Sequence, residues 1–137
     1  MDFYVYRYRE RKETSLSLYA GWSEYPGFLS NDAGYITGCT DGQKIAASEG
    51  FVILPRGESV VGLEAGCFAG LEDVVTEIFI PANIREIKAG AIDCLPNLFY
   101  IEVDAANPVY KSQFGCLYAK DSGELILTPM AQQDISP

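Results

Sequence analysis

Val61-Gly62-Leu63-Glu64-Ala65-Gly66-Cys67-Phe68-Ala69-Gly70-Leu71-Glu72-Asp73-Val74 is answered 24 residues later by Arg85-Glu86-Ile87-Lys88-Ala89-Gly90-Ala91-Ile92-Asp93-Cys94-Leu95-Pro96-Asn97-Leu98. At this offset Leu63 pairs with Ile87, Ala65 with Ala89, Gly66 with Gly90, Phe68 with Ile92, Leu71 with Leu95 and Val74 with Leu98. The strand-like pieces keep a second register. Val52-Ile53-Leu54-Pro55 returns as Ile78-Phe79-Ile80-Pro81 and again as Ile101-Glu102-Val103-Asp104, at spacings of 26 and 23. Loop lengths vary while the apolar slots stay fixed. One such unit cannot bury its own apolar side, so the units must stack and share a core. The predicted core is Leu63, Phe68, Leu71, Val74, Ile78, Ile80, Ile84, Ile87, Ile92, Leu95, Leu98, Ile101 and Val103.

A period of about 20–29 residues with fixed aliphatic slots predicts a leucine-rich-repeat solenoid. The expected form is α/β and horseshoe-like but β-rich. It has short stacked parallel strands, short helical turns around Ala-Gly-x-Phe-x-x-Leu, and a β-hairpin at each end. Three zones follow. Residues 1–34 form an N-terminal hairpin and loop, a candidate cap: Phe3-Tyr4-Val5-Tyr6-Arg7-Tyr8 and Leu16-Ser17-Leu18-Tyr19 alternate in character as pleated strands do. Residues 35–109 carry the repeats. Residues 110–137 form a hairpin cap and tail, with apolar runs on either side of Asp121-Ser122-Gly123. The final Asp134-Ile135-Ser136-Pro137 reads as the aliphatic-Pro opening of another unit.

Composition narrows the chemistry. The chain has 137 residues, 10 Lys+Arg against 19 Asp+Glu, four Cys and no His. Without histidine there is no Ser-His-Asp or Cys-His hydrolase, no His-ligated zinc and no imidazole proton shuttle within the chain. A net charge of -9 argues against nucleic acid and anionic membrane surfaces. No run approaches the roughly 20 apolar residues of a membrane span. The first residues do not read as a secretory signal, so the sequence reads as cytoplasmic as given or as a piece of something longer. Cys39, Cys67, Cys94 and Cys116 form no C-x-x-C pair and read as packing residues in buried slots.

Strand alternation nominates a site. If Ile78 and Ile80 point inward, Glu77 and Phe79 point outward, with Phe51 and Ile53 in the preceding unit and Tyr100 and Glu102 in the next. Phe51, Ile53, Glu77, Phe79, Tyr100 and Glu102 are therefore the candidate partner-binding face. Clustered outward aromatics mark either a contact surface or a patch covered by the N-terminal hairpin, and both readings stay open here. Tyr4, Tyr6 and Tyr8 interleave with Arg7 and Arg9, but the acidity of the remainder favours a charged edge strand over base stacking. The carboxylate pairs Glu72 with Asp73 and Glu102 with Asp104 have no nucleophile beside them, and Asn31-Asp32 with Asp41 lacks EF-hand spacing. No catalytic residue, metal site or cofactor is predicted.

The combination of motifs resembles the BspA-type (Treponema-pallidum-type) leucine-rich repeats of bacterial proteins. It is carried by Ile80-Pro81-Ala82-Asn83-Ile84-Arg85-Glu86-Ile87-Lys88-Ala89-Gly90-Ala91-Ile92, by the preceding copy from Leu54-Pro55 to Phe68, by Tyr35-Ile36-Thr37-Gly38, and by Asn107-Pro108-Val109-Tyr110 followed by Gly115-Cys116-Leu117-Tyr118. The likeness spans about residues 35–129. It implies a non-enzymatic scaffold of the kind found in adhesion and protein binding, at the cell surface or secreted where the chain is a fragment. The expected function is a non-catalytic protein-protein interaction module that binds through an exposed strand face. One alternative is a structural or self-associating fragment of a larger adhesion protein. Another is a small acidic enzyme or ligand-binding domain. The expected partner is a protein or a second copy, with no nucleic acid and no membrane insertion.

Overall fold

β-Branched and aromatic triplets recur where the repeat places them, and each becomes a strand too short to stand alone. In the computed structural model, which describes residues 28–39 and 50–135, ten strands appear. They are β1 (Phe28–Ser30), β2 (Tyr35–Cys39), β3 (Phe51–Ile53), β4 (Gly62–Leu63), β5 (Glu77–Ile80), β6 (Glu86–Ile87), β7 (Tyr100–Val103), β8 (Tyr110–Gln113), β9 (Cys116–Ala119) and β10 (Leu125–Leu127). One helix, α1 (Met130–Ile135), follows.

Three small sheets result. β3, β5 and β7 pair in parallel, with Phe51, Glu77 and Tyr100 in one row and Val52, Ile78 and Ile101 in the next. β2, β4 and β6 form a second parallel ladder with Ile36, Leu63 and Ile87 in register, and β1 adds antiparallel to its outer side. β8, β9 and β10 form an antiparallel sheet in the order β10-β9-β8. The β8–β9 turn is Phe114-Gly115, both at positive φ (54° and 80°), the combination that a two-residue type I′ hairpin requires.

These observations correct the expected leucine-rich-repeat solenoid. The fold is small and β-rich with mixed, parallel and antiparallel sheets, almost no helix among the described residues, and no closed horseshoe. The Ala-Gly-x-Phe-x-x-Leu segments are not helical. They run as successive tight turns, Cys67 N–H to Glu64, Ala69 N–H to Gly66 and Leu71 N–H to Phe68. Gly66 and Gly70 sit at φ +73° and +88° inside this stretch, outside the right-handed helical region, so a helix cannot propagate. Of the tail, Asp134 and Ile135 end the helix Met130–Ile135, and Ser136-Pro137 lie outside the described residues. The expected hairpin over residues 3–22 lies outside the described residues.

The main core contains Leu63, Phe68, Ile78, Ile80, Ile84, Ile92, Leu95, Leu98, Ile101 and Val103, with Leu71, Val74 and Ile87 partly buried against it. Ile36, Leu54, Val60, Val75 and Leu117 join them. Asn83 and Asn107, 24 residues apart, tie each unit to the one before. The Asn83 carboxamide donates toward the carbonyls of Pro55 (3.0 Å), Gly57 (3.0 Å) and Val60 (2.7 Å). Asn107 repeats this one unit on, donating to Pro81 (2.9 Å) and Ile84 (2.8 Å). An asparagine serves here because its NH2 group can satisfy two turn carbonyls that strand pairing leaves open.

The last rungs end on the C-terminal sheet. Ile101 N–H donates to the Gly115 carbonyl at 2.9 Å, Val103 N–H to the Ser112 hydroxyl at 2.9 Å, and Ile87 N–H to the Tyr110 hydroxyl at 2.9 Å. Each bond gives an edge donor a partner without adding another rung.

Candidate functional site

The face nominated from sequence is not exposed. Phe51, Ile53, Glu77, Phe79 and Tyr100 are all under 5% exposed, and Glu102 is half-buried. The alternation itself is as read: Val52, Ile78, Ile80, Ile101 and Val103 belong to the main core, whereas Phe51, Ile53, Phe79 and Tyr100 make a second cluster on the opposite face, with Phe99 against it. The expectation of an exposed binding surface on this ladder is thus corrected. Two phenylalanines, a tyrosine and an isoleucine in adjacent rows carry enough apolar area that covering them is strongly favourable. These residues form a second core here.

The strand face left in contact with solvent belongs to the other ladder. Tyr35, Gly62 and Glu86 stand in one register row, while Thr37, Glu64 and Lys88 lie two residues further along the chain, the last two just past the ends of β4 and β6. Gly62 makes room in the middle of the row. A Cβ there would come within 2.4 Å of the Tyr35 ring and 2.8 Å of the Glu86 carbonyl. Without it the ring lies across the middle rung, and its hydroxyl donates to the Glu86 carboxylate two rungs away. Lys88 Nζ sits 4.7 Å from the Tyr35 ring centre and 3.1 Å from Glu64 Oε2. The hydrogen bond to Glu86, partial desolvation and the charges of Glu86 and Glu64 push the Tyr35 hydroxyl above its ordinary pKa. The row is a flat platform of ring, carboxylates and one ammonium.

Beside the platform, a groove of about 290 Å³ opens between β6 and β10. Its walls include Ile87, Ile92, Asp93, Tyr110, Ile126 and Leu127. Beyond β10, a wider depression is lined by Leu125, Thr128, Gln132 and Gln133. Leu125 and Ile126 are 54% and 50% exposed.

Other sequence candidates have local structural partners. Glu72 Oε1 accepts the Gly70 N–H at 2.9 Å, Asp104 Oδ1 accepts the Ala106 N–H at 2.9 Å, and Asn31 Oδ1 accepts from Ala33 and Tyr35, so these side chains cap turns. Tyr4, Tyr6, Tyr8, Arg7, Arg9 and Asp41 lie outside the described residues. Among the cysteines, Cys67 is buried and Cys39 half-buried, and burial pushes their thiols up to about 12 and about 11. The packing reading of Cys94 is corrected: it is exposed. At an offset of 24 it takes the place of the exposed Gly70, while the buried slot of Cys67 falls to Ala91. No group of three or more metal-ligating side chains comes together among the described residues.

The platform was missed, yet the sequence carried a signal for it. Glu64 and Lys88 are opposite charges at the repeat offset of 24, each directly after an aliphatic residue. Comparison with family models, curated proteins and solved structures returned no match.

Proposed function

We propose that this chain is a non-catalytic protein-interaction module whose contact face is the platform of the β2-β4-β6 ladder. The observation that carries the reading is the row Tyr35–Gly62–Glu86 with its flanking Glu64 and Lys88. An aromatic ring held flat beside charged groups, on stacked strands that cannot shift independently, is a preorganised surface for a polar, rigid contact. In keeping with this, the half-buried Asn83 and the buried Asn107 are engaged by backbone carbonyls of the stack. The likeness of the motifs to BspA-type repeats, whose proteins take part in adhesion and protein binding, points the same way.

A photo-crosslinking residue placed at the exposed Thr37 tests the reading, with one at the exposed Glu58 as control. In the source cell, Thr37 should yield a discrete protein adduct that Glu58 does not, and Glu86→Arg should weaken it. Equal labelling at both positions would remove the platform from consideration.

A further inference from the structure

The outer edge of β10 carries no charged residue and no proline, and its one irregularity is a register shift against β9 between Leu125 and Leu127. Exposed edges normally carry a lysine, a proline or a bulge that turns the backbone away, because unpaired N–H and C=O groups recruit other strands. β10 is the outermost strand of its sheet, and no described strand pairs with its free side. Its three residues are Leu125, Ile126 and Leu127, without a charge or proline among them. The first two are half exposed or more, and Ile126 and Leu127 line both the groove and the wider depression.

The charges around the edge are unequal. Lys88 is paired with Glu64 at 3.1 Å. Lys120 Nζ is turned onto the carbonyls of Ala105 (2.8 Å) and Asn107 (2.6 Å). The carboxylates of Asp93, in the groove wall, and Glu124, at the start of β10, make no ion pair among the described residues. The whole chain carries -9, so a second copy would meet like charge, whereas a basic segment would meet opposite charge.

Building on the interaction reading, we infer that β10 accepts an extended peptide segment of another protein as a fourth strand, apolar at its centre and basic at its flanks. Main-chain hydrogen bonds to the edge hold such a strand, and alternate side chains enter the groove against Ile87, Ile92 and Ile126. Its Lys or Arg flanks lie near Asp93 and Glu124. The platform and this edge share Ile87 and Lys88 as neighbours, so one partner can engage both.

The probe is a fluorescein-labelled synthetic peptide that alternates Val and Thr between paired lysines, titrated by fluorescence polarisation against the full chain. Saturable binding is expected. It should weaken roughly tenfold or more when the lysines are replaced by glutamates, and likewise when Ile126→Lys or Leu125→Lys blocks the edge. Both positions are solvent-facing, so an unchanged melting temperature establishes that either variant is folded. Equal affinity for the two peptides, or binding indifferent to both variants, overturns the proposal. So does sedimentation of the free protein as a dimer that Ile126→Lys dissociates, which would give the edge to a second copy. A lost peptide signal with an intact Thr37 adduct would discard the strand-addition site and leave the interaction module standing. Retained peptide binding without a Thr37 adduct would do the reverse.

Discussion

Asn107 is fully buried, and its carboxamide makes four hydrogen bonds. It donates to Pro81 and Ile84 and accepts the N–H groups of Val109 and Tyr110 at 2.8 and 2.9 Å. Removing it leaves backbone groups of two successive units without partners in a dry interior. Asn107→Ala should therefore cost roughly 2–4 kcal/mol in urea unfolding, more than a typical surface change. Asn107→Asp separates the donor role from shape. The carboxylate would face two carbonyl oxygens, so the loss at neutral pH should exceed that of the alanine variant and shrink in acid, where the group is protonated. Equal losses for the two variants at all pH values would mean that the amide acts only by filling space. The pair Asn83 and Asn107 was visible in the sequence at the repeat offset. Its meaning was not, because polar residues at equivalent positions announce a shared environment without saying whether that environment is water or backbone.

Among the elements, the ladder of β3, β5 and β7 separates two kinds of information. Period-two alternation tells which residues share a face, and it sorted Ile78 and Ile80 from Phe79 as the structure does. It does not tell which face meets water. Both faces of this ladder are buried, as parallel strands covered on two sides require, and their sequences then read as near-continuous apolar runs. Phe51-Val52-Ile53 is such a run, and its lack of any polar residue was the available clue. Phe79→Ala should cost about 3–5 kcal/mol, in the range of core aromatic truncations. Leu125→Ala, at an exposed edge, should stay within about 0.5 kcal/mol. Melting of the two variants side by side checks this, and a stable Phe79 variant would return that face to the surface. The ladder of β2, β4 and β6 was harder to read. Two of its strands are only two residues long, and its register rests on hydrogen bonds such as Arg85 N–H to the Val61 carbonyl (2.7 Å), which no side-chain pattern encodes.

At the scale of the molecule, several acidic protons are held more tightly in the fold than in the open chain. Burial raises Cys39 from its ordinary 9 to about 11 and Cys67 to about 12, and it also raises Tyr110 against the opposing hydrogen bond from Ile87. Well below pH 9 these groups are protonated in both states and contribute no slope. Above it the unfolded chain ionises first, so stability should fall as pH rises from about 9 through 11 to 12. Urea midpoints measured from neutral to alkaline pH check the direction, and replacing both cysteines with alanine should flatten the curve. The links between units have a further consequence. Asn83 reaches back to Val60, Lys88 to Glu64, Asn97 to Asp73 and Asn107 to Ile84, with sequence separations of 23 or 24 in each case. Each rung meets a partner that left the ribosome one unit earlier, so the stack can assemble in the order of its synthesis. The hydroxyls of Tyr110 and Ser112 lie later in the chain than the rungs they close, so these closing contacts become available only after the rungs have been made.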